Sequence, residues 1–318
     1  MLMVELAAGL VLLVLGGDFL VRGSVGLAER LNVSPLLIGI VLVGFGTSSP
    51  ELMTSLLAAL QDAPGIAVGN VVGSNTANIL LILGIAAILC PLSAEPKALM
   101  RDGFVMSAAA LAALALSIHG SIPRPAGLAL VAALAAYLVF TYRAENGKNT
   151  PSAEMHRAEG QAVTALPWTK SVPVLCLLAL SGLAMTLLGA KWLVGSSVAL
   201  ASSMGISETV IGLTIVAVGT SLPELVTSVV AALRKQTDIA FGNILGSNIY
   251  NILGILGVTS LVKPIAIPPE ILSFDIWVML GATALLMVFA KTGHRICRLE
   301  GWALLGLYGL YIGKLVFA

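Results

Sequence analysis

One stretch of this chain occurs twice. GTSSPELMTSLLAAL at 46–60 returns as GTSLPELVTSVVAAL at 219–233, and IAVGNVVGSNTANILLILG at 66–84 returns as IAFGNILGSNIYNILGILG at 239–257. The offset is 173 residues throughout, from Glu51 to Glu224 and from Asn78 to Asn251. About two dozen of some forty positions agree without a gap, and such self-similarity marks a duplicated structural unit. The offset extends back through LGGDFLVRGSV at 15–25 and LGAKWLVGSSV at 188–198. Whatever this chain folds into must be built twice from the same plan.

The plan is a membrane one. Of the 318 residues, 58% are hydrophobic and 10% charged, against roughly a quarter charged in a soluble domain. That excludes a soluble enzyme, a disordered chain and a coiled coil, and leaves an all-α polytopic membrane protein. The net charge of +1 gives no pull toward nucleic acid. Apolar stretches long enough to cross a bilayer lie at roughly 3–29, 34–60, 65–90, 103–119, 124–142, 171–201, 207–233, 239–262, 270–291 and 297–317. This reading gives about ten transmembrane helices, with turn chemistry between them at Asn32–Pro35, Asp62–Gly65, Pro91–Pro96, His119–Pro125 and Pro264–Pro269. The first stretch carries Glu5, lacks a basic leader and runs past the length of a signal core, so it reads as a span. The cysteines Cys90, Cys176 and Cys297 are far apart in or beside apolar runs and read as apolar filler.

Residues 1–142 form a first five-helix repeat, 143–170 a polar cytoplasmic linker, and 171–318 a second five-helix repeat. Five is odd, so the second repeat has to enter the membrane the other way up, the inverted-repeat plan of secondary transporters. With the N-terminus outside, about twelve basic residues fall on the inner side and only Arg124, Lys263 and Lys314 on the outer. That bias puts both termini outside and the linker inside.

Glu51 and Glu224 each sit near the middle of an apolar stretch, where a charge costs roughly 2.5–3.5 kcal/mol even on the lenient insertion scale. A protonated carboxyl bonded to a neighbouring helix would lower that cost but leaves the polar surroundings unexplained. Thr47, Ser48, Thr54 and Ser55 share a helix face with Glu51, and Thr220, Ser221, Thr227 and Ser228 share one with Glu224. Pro50 and Pro223 deprive the preceding turn of its helical partners, which frees carbonyls at Gly44–Thr47 and Ala217–Thr220. Asn70, Ser74 and Asn78, and Asn243, Ser247 and Asn251, are spaced by four and form an oxygen-bearing stripe. Interhelical hydrogen bonding is the plainer use of such asparagines. Carboxylates, amides, hydroxyls and carbonyls together make an all-oxygen set suited to hard cations such as Ca²⁺ and Na⁺. No His or Cys belongs to it, which disfavours zinc or copper. Asp18 and Arg22 can pair on one helix face, and Lys191 and Asp275 near span ends can snorkel.

GTSSPEL with GSNTAN, and GTSLPEL with GSNIYN, resemble the two α-repeats of the cation/calcium exchanger superfamily, and most of all its prokaryotic sodium/calcium exchanger branch. The motif blocks cover about eighty residues, and the duplication extends the likeness to nearly the whole chain. The resemblance implies that Glu51 and Glu224 bind Ca²⁺ with help from Thr47 and Thr220. It implies that Ser48, Ser74, Ser221 and Ser247, with carbonyls near Gly44 and Ala217, complete flanking Na⁺ sites, and that Asn78 and Asn251 line the centre. Some family members carry Asp at one of those last two positions. Here both are Asn, so the core has two carboxylates, which speaks against potassium co-transport.

The implied activity is exchange of Ca²⁺ for Na⁺ across the cytoplasmic membrane by alternating access, with no cofactor and no enzymatic step. A proton-coupled divalent-cation antiporter on the same fold is the alternative, since protons can titrate the same glutamates. An intramembrane hydrolase lacks a G-x-S-x-G elbow, a nearby His and H-E-x-x-H. A channel fits the inverted repeat less well than a carrier. Small-residue helix faces serve internal packing as readily as dimers, so the oligomeric state, a monomer included, stays open.

Overall fold

The computed structural model describes residues 2–30, 44–93, 96–146, 171–233, 235, 237–291 and 295–317. The expected turn at 32–35, the start of the second span at 34–43 and most of the linker, 147–170, lie outside the described residues. Two long helices open the two halves, Leu2–Arg30 and Val172–Met204. They run antiparallel along each other, pressed together at glycines. A methyl group at Gly9 would meet the Gly189 carbonyl at 2.9 Å, and one at Gly16 would meet the Thr186 amide nitrogen at 2.7 Å. Lacking side chains there, the backbones can touch.

Each glutamate-bearing segment breaks just before its proline. The chain is helical over Gly44–Thr47, breaks at Ser48, and resumes over Ser49–Leu60. In the other half it is helical over Ala217–Thr220, breaks at Ser221, and resumes over Leu222–Leu233, with the two arms bent by 47°. Pro50 cannot donate to the preceding turn, but in the first turn of a new helix no such donation is needed. The asparagine-bearing segments, Pro64–Ala77 running on to Leu89 and Thr237–Ile249 running on to Val262, fill the centre. Both widen into a π-helical stretch at corresponding places, Asn78–Ile82 and Tyr250–Leu256. The sequence carried no signal for this widening, which alters the spacing of side chains around Asn78 and Asn251.

The halves interlock. A methyl group at Gly73 would lie 2.7 Å from the Leu213 carbonyl, so the Pro64–Ala77 helix seats its glycine face on the Gly212–Val216 turn of the other half. Around this centre stand the helices Pro96–Ile118, Arg124–Glu145, Ile276–Lys291 and Arg298–Phe317. Two-residue strands tie the loops, Leu92–Ser93 with Arg295–Ile296 and Ser121–Ile122 with Ile265–Ala266.

Seven of the described helices are long and apolar enough to cross a membrane, and the bent pair 208–233 makes eight. The Arg298–Phe317 helix, with Arg298, Glu300 and Lys314, is not among them. Asp275 corrects a sequence expectation. It does not snorkel but is buried, and Tyr311 donates to its Oδ1 at 3.0 Å. A tyrosine from the last helix supplies the partner that a carboxyl needs when it is removed from water. Asp18 and Arg22 do pair, at 2.7 Å.

Candidate functional site

The two breaks bring the glutamates to one place. Glu51 and Glu224 are both buried, and the two carboxyls are close enough to repel each other. Each is held by the opposite half. Ser221 donates to Glu51 Oε1 at 3.0 Å, and Ser48 donates to Glu224 Oε1 at 3.4 Å. Ser247 adds a contact to Glu224 Oε1 at 3.5 Å, and Thr47 also donates to the Glu224 carboxyl. A serine at each helix break thus reaches across to the other segment's glutamate rather than back to its own helix.

The asparagine stripe divides into two kinds of residue. Asn70 is fully buried and acts as a brace. Its Nδ2 donates to the Glu51 carbonyl at 3.1 Å and to Ser55 Oγ at 2.9 Å, and its Oδ1 accepts from Thr220 at 3.0 Å. Asn243 repeats the first two bonds on Glu224 and Ser228, at 3.4 and 3.0 Å. These two asparagines do what interhelical hydrogen bonding would ask of them. Asn78 and Asn251 differ. Asn78 donates to Asn248 Oδ1 at 3.2 Å, but among the described residues its own Oδ1 has no partner, and neither amide atom of Asn251 has one. Glu51 Oε2 and Glu224 Oε2 are unpartnered among the described residues as well. Buried polar atoms are hydrogen-bonded as a rule, so four orphaned oxygens from the two repeats call for an electropositive occupant or water.

Ala217 departs from the sequence expectation of a free carbonyl. Its oxygen accepts from Ser221 N at 3.1 Å and Ser74 Oγ at 3.4 Å. Hydroxyls beside a broken turn find its carbonyls readily, and a cation would have to replace those donors. Gly46 O is taken in the same way by Ser49 Oγ at 2.7 Å. Gly44 opens its short helix beside residues outside the described set. Asn248 belongs to the site and was not singled out from the sequence, although it is the asparagine of the GSN motif itself.

Among the described residues no group of three or more His, Cys, Asp or Glu could hold a metal. Two carboxylates suffice to balance one divalent cation, with neutral oxygens completing its shell. The arrangement therefore suits reversible passage of hard cations.

Comparison with known proteins agrees. The family model for the sodium/calcium exchanger protein matches residues 1–143 and 174–317. The sodium/calcium exchanger MaX1 of Methanosarcina acetivorans is 36% identical over 351 aligned residues, covering 98% of this chain and 97% of that protein. The inner membrane protein YrbG of Escherichia coli is 35% identical, covering 86% of this chain and 84% of its own. A solved structure of the sodium-calcium exchanger NCX_Mj, soaked with 2.5 mM Na⁺ and 0.1 mM Ca²⁺, superposes with a TM-score of 0.66 at 34% identity, over 99% of this chain and 98% of that one. This multi-pass membrane protein belongs to the sodium/calcium exchanger family.

Proposed function

We propose that the chain exchanges Ca²⁺ for Na⁺ across the cytoplasmic membrane by alternating access, through ten spans arranged as two inverted five-helix repeats with both termini outside. The observation that carries this reading is the reciprocal site: two buried glutamates, each bonded by the other half's serine, with their second oxygens and the amide oxygens of Asn78 and Asn251 without a partner among the described residues. The antiparallel contact of the helices Leu2–Arg30 and Val172–Met204 supports the inverted plan. So do the strand pairs, which join loops assigned to the same side: 92–93 with 295–296 inside, 121–122 with 265–266 outside. Glu51 and Glu224 carry Ca²⁺, with Thr47 and Thr220 beside them. Ser48, Ser74, Ser221 and Ser247 serve Na⁺, with the carbonyls near Gly44 and Ala217.

Sodium is favoured over protons by the number of neutral oxygens. Two facing carboxylates repel when Ca²⁺ leaves, so something cationic must replace it before the carrier turns over. Protons would need only the carboxyls. Several Na⁺ need several oxygens each, and the duplicated Thr, Ser and Asn side chains supply them. Uptake of ⁴⁵Ca²⁺ into proteoliposomes loaded with Na⁺ tests the reading. Uptake that depends on internal Na⁺, with more than one Na⁺ leaving per Ca²⁺, is the expected result. Uptake driven fully by a pH gradient without Na⁺ transfers the function to the proton-coupled alternative. Ser48→Ala and Ser221→Ala are expected to weaken the dependence on Na⁺ more than that on Ca²⁺, by about tenfold against about threefold, since a lost bond to a charged group is worth roughly 1.5–3 kcal/mol at most.

The two opening helices are the moving pair in this account. Gly23 lies against Ala179 of its partner helix, so it is not the place to tether the pair to the core. Gly17 is: a methyl group there would lie 3.3 Å from Ser49 Oγ. A cross-link between cysteines at 17 and 49 should stop exchange, and reducing it should restore exchange. Full cross-linking at 17 and 49 with transport at the native rate contradicts the sliding-pair account.

A further inference from the structure

A cleft of about 830 Å³ lies between the Leu2–Arg30 helix and the second-half motif, and its lining includes Thr47, Thr227 and Asn243. Thr47 touches the Glu224 carboxyl and Asn243 braces the Glu224 backbone, so the cleft leads to that glutamate. The corresponding residues around Glu51 are sealed: Thr220, Thr54 and Asn70 are all fully buried. Among the described residues, the charged ones that line the cleft are Asp18 and Arg22. Their side chains are 46% and 31% exposed, and they pair at 2.7 Å.

Such a pair is costly to place. Asp18 and Arg22 lie about 3 and 9 Å beyond the middle of the Leu2–Arg30 helix, at about 1.5 Å per residue. Charges exposed to hydrocarbon at that depth are strongly penalised, and an i,i+4 pair returns little of the penalty. The cost falls away when the cleft holds water, and an intramembrane charge on a wet path is as a rule functional. The second half offers an internal control. At the offset of 173 residues, Asp18 and Arg22 correspond to Lys191 and Gly195. The opening helices are therefore electrically different, and the acid–base pair belongs to the first alone.

We propose that the Asp18–Arg22 pair sets the electrostatic potential of a water-filled access cleft leading to Glu224, with Asp18 drawing cations in and Arg22 holding that attraction in check. This rests on reading the chain as a Ca²⁺ exchanger. Low-dielectric walls focus the field of a charge in a cleft and change the local concentration of counter-ions. Paired, the two charges nearly cancel. Asp18→Asn leaves a bare positive charge in the path, and Arg22→Gln leaves a bare negative one. The effect scales with the charge of the passing ion, so the logarithm of the shift for Ca²⁺ is twice that for Na⁺.

The test has two arms. In proteoliposomes, Asp18→Asn should raise the KM for Ca²⁺ at the cleft face about tenfold and for Na⁺ about threefold, on the scale that field focusing reaches. Arg22→Gln should lower both, the double variant should return near the wild type, and added salt should shrink all the shifts. In the second arm, a cysteine at Thr227 in a chain freed of Cys90, Cys176 and Cys297 is labelled with cationic and anionic thiol reagents of equal size. Asp18→Asn should lower the cationic-to-anionic rate ratio and Arg22→Gln should raise it. Shifts of the same sign in both variants, or an unchanged reagent ratio, overturn the proposal and leave the pair a helix staple. If the wild-type protein shows no sodium-dependent calcium flux, the exchange reading falls, and the labelling ratio alone decides the field in the cleft.

Discussion

Glu51→Gln or Glu224→Gln is expected to reduce sodium-dependent calcium flux at least about 100-fold while the protein still folds and inserts. Each carboxyl is buried, and each has one oxygen bonded by the opposite half and one without a partner among the described residues. Removing one charge leaves the other glutamate facing a divalent cation alone. Breaking a buried charge pairing on one side costs about 3–5 kcal/mol, which corresponds to that loss or more. Folding is spared because neutralising an intramembrane carboxyl eases insertion. The check is ⁴⁵Ca²⁺ flux alongside a thermal-shift assay. Normal flux in both variants would remove these residues from the mechanism.

Asn70→Leu should be the most damaging change at a residue that is not itself a proposed ligand. Three buried bonds go at once, to the Glu51 carbonyl, to Ser55 and from Thr220. Stranding those partners costs about 1–3 kcal/mol each. The loss in thermal stability should be clearly larger than for Asn243→Leu, whose two bonds are at 3.4 and 3.0 Å in a part-buried place. Equal losses at 70 and 243 would mean that the asymmetry between the halves has no energetic weight.

That asymmetry marks the limit of what the residues alone disclose. The repeat, the glutamates and the i,i+4 oxygen stripe were legible, because burying a charge in an apolar helix demands partners and the duplication displays them twice. The helix breaks at Ser48 and Ser221 could be anticipated from Pro50 and Pro223. Two near-identical motifs cannot reveal that one is sealed and the other borders a cleft. Thr54 is fully buried and Thr227 is not, a difference created by how the opening helices lie. The division of labour along the stripe was hidden for a similar reason. Asn70 and Asn78 have the same chemistry and share a face, yet one braces and the other keeps an orphaned oxygen. The π-helical turns at Asn78 and Tyr250 answer to packing around the centre rather than to any local residue preference. Asp275 was misjudged because its partner, Tyr311, lies 36 residues away on another helix.

The central claim is that Ca²⁺ and Na⁺ compete for one site built on Glu51 and Glu224. Equilibrium binding of ⁴⁵Ca²⁺ to the purified protein, displaced by Na⁺ at constant pH and ionic strength, tests it most directly. The account predicts displacement with a Hill coefficient above 1, lost together with calcium binding in Glu51→Gln and Glu224→Gln. Calcium binding that persists undiminished at saturating Na⁺ and yields only to acid would contradict it.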